Sequence, residues 1–302
     1  MKQEITPNKV IKTSLTVNIL DILFNGVVAI ITGSSVMLAG TLRGLSDLIT
    51  VIFLYIGIKR SAKRPNKKFN FGYGRELYFW VLCAAITMFV VSASISFYSG
   101  LIKFLNPEPL ERTIWAYLVL TVGIITNTYS LSFSYRKIKS AQTKASIIKN
   151  FTSSRLLEIK TALITDLMGS VSVLLGIVAL IIYGMTGDAR YDGLGAMIIA
   201  LAISSLALIL IFEAKEMIIG KSVPPGEKQT IRKIAEMHPL VNKVLQITTM
   251  HFGSEEMYVN LNINVKDNLK TQQIENLINE IKENIIRLKP EVDIVQIEIN
   301  GD

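Results

Sequence analysis

Cysteine and histidine are nearly missing from this sequence of 302 residues: Cys83 is the one cysteine, and His238 and His251 are the two histidines. A lone cysteine excludes an internal disulfide framework and a cysteine-based zinc site, and two histidines exclude a His-rich metal buffer. Charge is scarce as well. Charged residues make up 19% of the chain, against about 25% in soluble domains. There is no glycine-rich phosphate loop of the P-loop type, so ATP has no support as a driving force. What is plentiful is apolar: 50% of the residues are hydrophobic, and the mean hydropathy is +0.42. Such a chain turns most of its apolar surface toward lipid. Its charge is lopsided, with 32 Lys+Arg against 24 Asp+Glu and a formal net charge of +8. In a soluble protein that balance would suggest nucleic acid. In a membrane protein, Lys and Arg collect in cytoplasmic loops instead, and no nucleic-acid partner is expected.

A spanning helix needs roughly 20 mainly apolar residues. Six stretches come close, at 14–33, 36–58, 78–100, 114–134, 161–183 and 193–213. The first is too long and too late for a cleaved signal peptide. The loop from Lys59 to Arg75 (KRSAKRPNKKFNFGYGR) is strongly basic, as is Arg136 to Lys149, and Lys2, Lys9 and Lys12 lie ahead of the first span. The opposite loops, around Gly33–Ser35, Gly100–Arg112 and Gly184–Asp192, carry few positive charges. The positive-inside rule therefore places both termini in the cytoplasm of a multi-pass protein of the cell membrane. The run at 59–75 is read as topogenic and lipid-facing, with some attraction for anionic headgroups. Its Gly-Tyr-Gly at Tyr73 lacks the pore-helix setting of a potassium filter.

After Glu213 the composition changes, and Pro224-Pro225-Gly226 punctuates the chain. A helix is predicted at 227–237 and a strand at 243–251. Met257 to Val265 alternates apolar and polar, the period of a half-buried strand. Ile274, Leu277, Ile278, Ile281, Ile285 and Leu288 form a helical stripe, and Val292–Ile299 reads as a last strand. The domains expected are an N-terminal arm (1–13), a six-span membrane domain (14–220) and a cytoplasmic α+β domain (221–302). A core that small is near the limit of independent stability, which favours dimerisation through it.

An ionisable side chain at the centre of a span costs about 2.5–3.5 kcal/mol on the insertion scale, so each is a functional hypothesis. Span 1 carries Asn18, Asp21 and Asn25 on one face; span 2 carries Arg43 and Asp47 at i, i+4. Span 4 carries Asn127, and span 5 carries Thr165 and Asp166, followed by the small residues Gly169, Ser170 and Ser172. Oxygen donors on facing helices can hold a divalent cation or relay protons. The competing reading is an internal ion pair of Arg43 with Asp47, Asp21 or Asp166 that holds the bundle together. A lone asparagine in a span is more often an interhelical hydrogen bond than a ligand. His238 and His251 are expected at the surface or as caps, and Cys83 as a small packing residue.

Several motifs in order resemble the cation diffusion facilitator family. TGSSVMLAGTLRGLSD (Thr32–Asp47) resembles that family's segment ending span 1 and opening span 2. LYIGIKRSAKRPNKKFNFGYGRELYFW (Leu54–Trp80) resembles its zinc transporter nine-like branch. YSGLIKFLNPEP, ITDLMGSVSVLLGIVAL, TGDARYDG and EAKEMIIGKSVPP continue the likeness. The resemblance implies six transmembrane helices with a ferredoxin-like helix-strand-strand-helix-strand tail. It also implies export of divalent metal by a homodimer that rocks between inward- and outward-facing states as protons enter. No enzyme activity and no resident cofactor are implied; the metal is cargo.

Asp47 and Asp166 match family ligand positions. Arg43 stands at the span 2 partner position and Ala162 at the span 5 one. Gly40 replaces the aspartate of the usual Ala-Asp motif, and Tyr73 the loop histidine. Glu298 and Asn300 stand where ligands of the tail are expected. The site implied is Asp47 and Asp166 with Asn127 and Asn18, modulated by Arg43, Asp21 and Thr165. So oxygen-rich a set suits manganese, magnesium or ferrous iron better than zinc, and cobalt also stays open as cargo. Two other readings stay open: a non-transporting relative serving as partner subunit or metal-responsive scaffold, and a carrier whose anionic or organic substrate is held by Arg43.

Overall fold

A computed structural model of the chain describes residues 7–140, 157–253, 256–290 and 292–300, with side chains undescribed at 7–18, 130, 133–140 and 157–166. The chain divides into two compact units. One holds residues 1–57, 80–145 and 158–214; the other holds 58–79, 146–157 and 215–302.

The first unit is helical. Its rods are α1 (Pro7–Thr32), α2 (Ser35–Ser61), α3 (Glu76–Thr87), a π-helical turn (Met88–Ala93), α4 (Ser94–Leu105), α5 (Ile114–Ser140), α6 (Leu157–Thr186) and α7 (Arg190–Ile219). Four stretches are long and apolar enough to cross a membrane among the described residues: Ser35–Ser61, Glu76–Leu105, Leu167–Thr186 and Arg190–Ile219. Shorter apolar helices run over Ile19–Thr32 and Ile114–Tyr129. Gly33 ends α1 in the left-handed region (φ 64°), its N–H donating to Ala29 O at 2.9 Å. That conformation suits glycine because there is no Cβ to clash.

The faces of these helices are the reverse of a soluble bundle. Leu23, Phe24, Ile30, Val90, Ile125, Val178 and Phe212 are exposed. Small and polar residues go inward: the buried set of α2 includes Ser35, Ala39, Arg43, Gly44, Ser46, Asp47 and Thr50. Without water to drive association, helices in lipid gain from close van der Waals contact, which small residues permit. α4 and α7 cross backbone against backbone. A Cβ at Gly100 would lie 2.6 Å from Gly193 O, and one at Gly193 would lie 2.6 Å from Gly100 O. Backbone cannot swing aside as a side chain can. Gly193→Val is therefore expected to lower the melting temperature of the detergent-purified protein clearly. Gly226→Ala, where a Cβ meets nothing within 4 Å, should leave it within error; equal melting curves for both would reject the crossing.

The second unit contains α8 (Pro225–Glu236), β1 (Val241–His251), β2 (Met257–Val265), α9 (Thr271–Leu288) and β3 (Val292–Ile299). Proline at the first position of α8 lacks only an N–H that would go unpaired there. β1 pairs antiparallel with β2, and β2 pairs parallel with β3 across the α9 connection. Ile231, Ile234, Leu277, Ile281 and Ile285 of the two helices meet Val244, Met257, Val259, Leu261 and Ile263 of the sheet in one core. The alternation read in Met257–Val265 is thus the buried face of a central strand.

One expectation is corrected in this unit. His251 is buried (3% exposed) and not at the surface, because the β1–β2 pairing runs on to His251 opposite Met257. His238 does cap: its Nδ1 accepts from Leu240 N at 3.2 Å. Part of the basic 59–75 segment also packs within this unit, against Phe252. Phe71 stacks on Phe252 with centroids 4.8 Å apart, and Arg75 lies over the same ring at 5.0 Å. A Cβ at Gly74 would come 2.4 Å from Phe252 O, so the second glycine of the Gly-Tyr-Gly serves close backbone contact.

Candidate functional site

The intramembrane polar residues converge on Arg43. Its Nη1 donates to Asp47 Oδ2 at 2.5 Å, one turn along α2, and its Nη2 donates to Asp21 Oδ2 of α1 at 3.1 Å. The Arg43 side chain is 7% exposed, Asp47 12% and Asp21 24%. Close approach of α1 is possible because position 44 is glycine; a Cβ there would lie 2.9 Å from Ile22 Cγ1. Asn25 Nδ2 donates to Asp21 Oδ1 at 3.0 Å and to Asp21 O at 2.8 Å. This fixes the carboxylate facing the guanidinium, whose planar fork suits two partners at once.

α5 and α6 close the other side. Asn127 Nδ2 donates to Gly123 O of its own helix at 2.8 Å. Its Oδ1 lies 2.0 Å from where a Cβ of Gly169 would be, and Arg43 Nη1 lies 3.2 Å from that same point. Glycine at 169 thus admits both Asn127 and Arg43 to the surface of α6. The asparagines correct the sequence expectation: Asn25 and Asn127 bond backward within their own helices, because a carbonyl one turn back is within easy reach. Asp21, Asn25, Arg43 and Ser172 border a cleft of ≈ 20 Å³, about the room one water needs. Ser172 Oγ, buried beside it, has no hydrogen-bond partner among the described residues.

Asp21, Arg43, Asp47 and Asn127 are therefore brought together. The side chains of Asn18, Thr165 and Asp166, and Ala162, lie outside the described residues. No cluster of three or more His, Cys, Asp or Glu able to hold a metal occurs among the described residues. At Gly40 a Cβ would come 3.0 Å from Asn25 Oδ1: the oxygen of Asn25 fills the space beside the missing aspartate. Tyr73 OH accepts from Asn66 Nδ2 at 2.8 Å, and Glu298 Oε1 accepts from Asn260 Nδ2 at 3.1 Å.

Two features escaped the sequence reading. The π-helical turn sets Ser92 against α2, where its hydroxyl donates to Leu42 O at 2.6 Å and bonds Ser46 Oγ, flanking the Arg43–Asp47 turn. Extra-wide turns of this kind recur at functional sites. The second is Asp192, wholly buried in the first turn of α7. It accepts from Ser34 Oγ at 2.5 Å and from the backbone N–H groups of Ser35 (2.6 Å) and Val36 (3.4 Å). It thereby caps α2 from another helix, satisfying donors that a helix start leaves unpaired. Lys103 of α4, also buried, is within Coulombic range of the carboxylate.

Comparison with known proteins matches residues 11–219 to the cation efflux transmembrane domain. The chain belongs to the cation efflux family. It is accordingly a multi-pass membrane protein of a transport family and not an enzyme. A proton-coupled zinc antiporter of Xenopus laevis, SLC30A9, mitochondrial, is 25% identical over 285 residues, covering 92% of this chain and 51% of the relative. The chain spans about half the length of these antiporters, and the likeness bears out the zinc transporter nine-like resemblance. Magnetosome protein MamB of Magnetospirillum gryphiswaldense is 24% identical over 265 residues, with 87% and 83% coverage. A structure of the MamM CTD in a manganese form covers 26% of the chain and 96% of its own, at 13% identity and a TM-score of 0.24.

Proposed function

We propose that this cation efflux protein is a proton-coupled exporter of divalent metal ions, crossing the cell membrane six times with both termini in the cytoplasm. It would work as a homodimer joined through a C-terminal domain at 221–302, after an arm at 1–13 and a membrane domain at 14–220. The transport site comprises Asp47 and Asp166, with Asn127 and Asn18 as further oxygen donors. Arg43 is an internal counter-ion, with Asp21 and Thr165 beside the site. The observation that carries this reading is the Arg43 guanidinium bridging Asp21 and Asp47. A fixed cation between two acids is the electrostatic image of a bound metal. Asp21, Asp47 and Asp166 against one guanidinium leave two negative charges. One dication or two protons would neutralise them, which makes metal and protons alternative cargoes. Oxygen donors favour manganese, magnesium or iron over zinc.

The test is metal flux in proteoliposomes carrying a proton gradient, run with zinc, manganese, iron, cobalt and cadmium. Asp47→Ala and Asp166→Ala are each expected to lower flux of the accepted metal by at least about tenfold, since loss of even an outer-shell partner of a metal ligand costs that much. Flux unchanged by both would reject the site. The second reading, a non-transporting partner subunit or scaffold, is favoured by Arg43 and Ala162 standing where the family's ligands are expected. Robust flux by the isolated protein would sink it.

A further inference from the structure

We propose that the connection between α2 and α3 is a binding site for anionic phospholipid headgroups of the bilayer that α2 enters. It carries Lys59, Arg60, Lys63, Arg64, Lys67, Lys68 and Arg75 within 17 residues. Arg60 faces Glu76 at 3.8 Å, and Arg75 is engaged with Phe252 and with Met250 Sδ. Lys63, Arg64, Lys67 and Lys68 are exposed and form no ion pair with any described acid. Lys63 and Lys68 lie over Tyr73 and Phe69 instead, at 5.8 and 5.5 Å.

A run of charge that only sets orientation needs no defined shape. This one has a shape. Asn66 Oδ1 accepts from the N–H groups of Lys68 and Phe69, both at 2.9 Å. Asn66 N–H donates to Phe69 O at 3.1 Å, as does Gly72 N–H at 3.1 Å, and Gly72 takes a positive φ of 79°. The turn therefore presents its four cations together with Phe69, which is 43% exposed. Aromatic side chains settle at the membrane interface, while cations there are drawn to anionic headgroups. Chain continuity keeps the turn near the bilayer: Lys59 and Arg60 form the last turn of α2. Through the Phe71–Phe252 stack, headgroup binding would reach the β1–β2 turn. The inference rests on the chain spanning a membrane and not on which ion it carries.

The experiment reconstitutes the full chain in phosphatidylcholine bilayers and measures its preference for spin-labelled phosphatidylglycerol over spin-labelled phosphatidylcholine. Each cation near an anionic surface is worth about fivefold in association. The combined K63Q, R64Q, K67Q and K68Q variant is expected to lose at least about tenfold of the preference. A matched control, K228Q, K233Q, K243Q and K266Q, removes the same charge elsewhere and should keep it. In case the first variant does not insert, the unmodified protein is measured as salt rises from about 0.02 to about 0.5 M, where screening should erase the preference. No preference in the unmodified protein, one that survives salt, or equal loss in the control would each overturn the proposal and leave the run topogenic only.

Discussion

Arg43→Met is expected to unfold more readily than the parent protein when metal is chelated, and to recover when manganese is added. The guanidinium lies between Asp21 and Asp47 with 7% of its side chain exposed. Removing one member of a buried ion pair costs about 3–5 kcal/mol, because the remaining charge is left uncompensated. Here two carboxylates are left. Each loses the guanidinium, and each then repels the other across a gap that a flexible, apolar side chain cannot bridge. A dication is the species that best restores balance, and binding only to the folded state at about a hundredfold above its dissociation constant returns about 2.7 kcal/mol. Arg43→Lys should fall in between, since an ammonium keeps the charge but not the fork that reaches both acids. Thermal denaturation in detergent, with chelator or with manganese, checks all three. A variant as stable as the parent, or one indifferent to manganese, would remove Arg43 from the role of surrogate cation.

A loss of similar size is expected from Asp192→Ala, far along the chain from that site. The carboxylate is fully buried and serves the Ser34 hydroxyl and two N–H groups at the start of α2. Truncation leaves those donors dry, at about 1–3 kcal/mol for each unsatisfied group, and leaves the buried Lys103 without the Coulombic attraction of the carboxylate. Asp192→Asn keeps an acceptor and should cost less. Adding Lys103→Met to Asp192→Asn should recover part of the loss, because the stranded cation goes too. The coupling between the two positions, read from a double-mutant cycle on melting curves, should be of order 1 kcal/mol or more. Strict additivity would show that Lys103 does not contribute through Asp192.

Much of this architecture was legible, and physics explains which part. Period and length are local properties, so the apolar helices and the strand at Met257–Val265 stood out. The spacing of Arg43 and Asp47 also pointed to their pairing. Asp192 did not stand out, since its partners lie 157 residues away and an aspartate in a first helical turn is unremarkable in sequence. Gly74 and Phe71 looked like features of a loop because the residues they meet, Phe252 and Gly253, belong to another stretch of chain. His251 was misplaced for the same reason. Strand pairing with β2, invisible in the local pattern, carries it inward.

The wide turn at Met88–Ala93 acts as a phase shifter for the rod that contains it. Each residue advances a regular helix by about 100°, and a π-turn absorbs one extra residue. Ser94–Leu105 is thereby rotated against Glu76–Thr87, and Gly100 and Lys103 ride on the rotated part. Shortening the rod by one residue would swing Gly100 off Gly193 and Lys103 away from Asp192 in the same stroke. One irregular turn thus keeps the Gly100–Gly193 crossing and the Lys103 charge in register together, and neither could drift without the other.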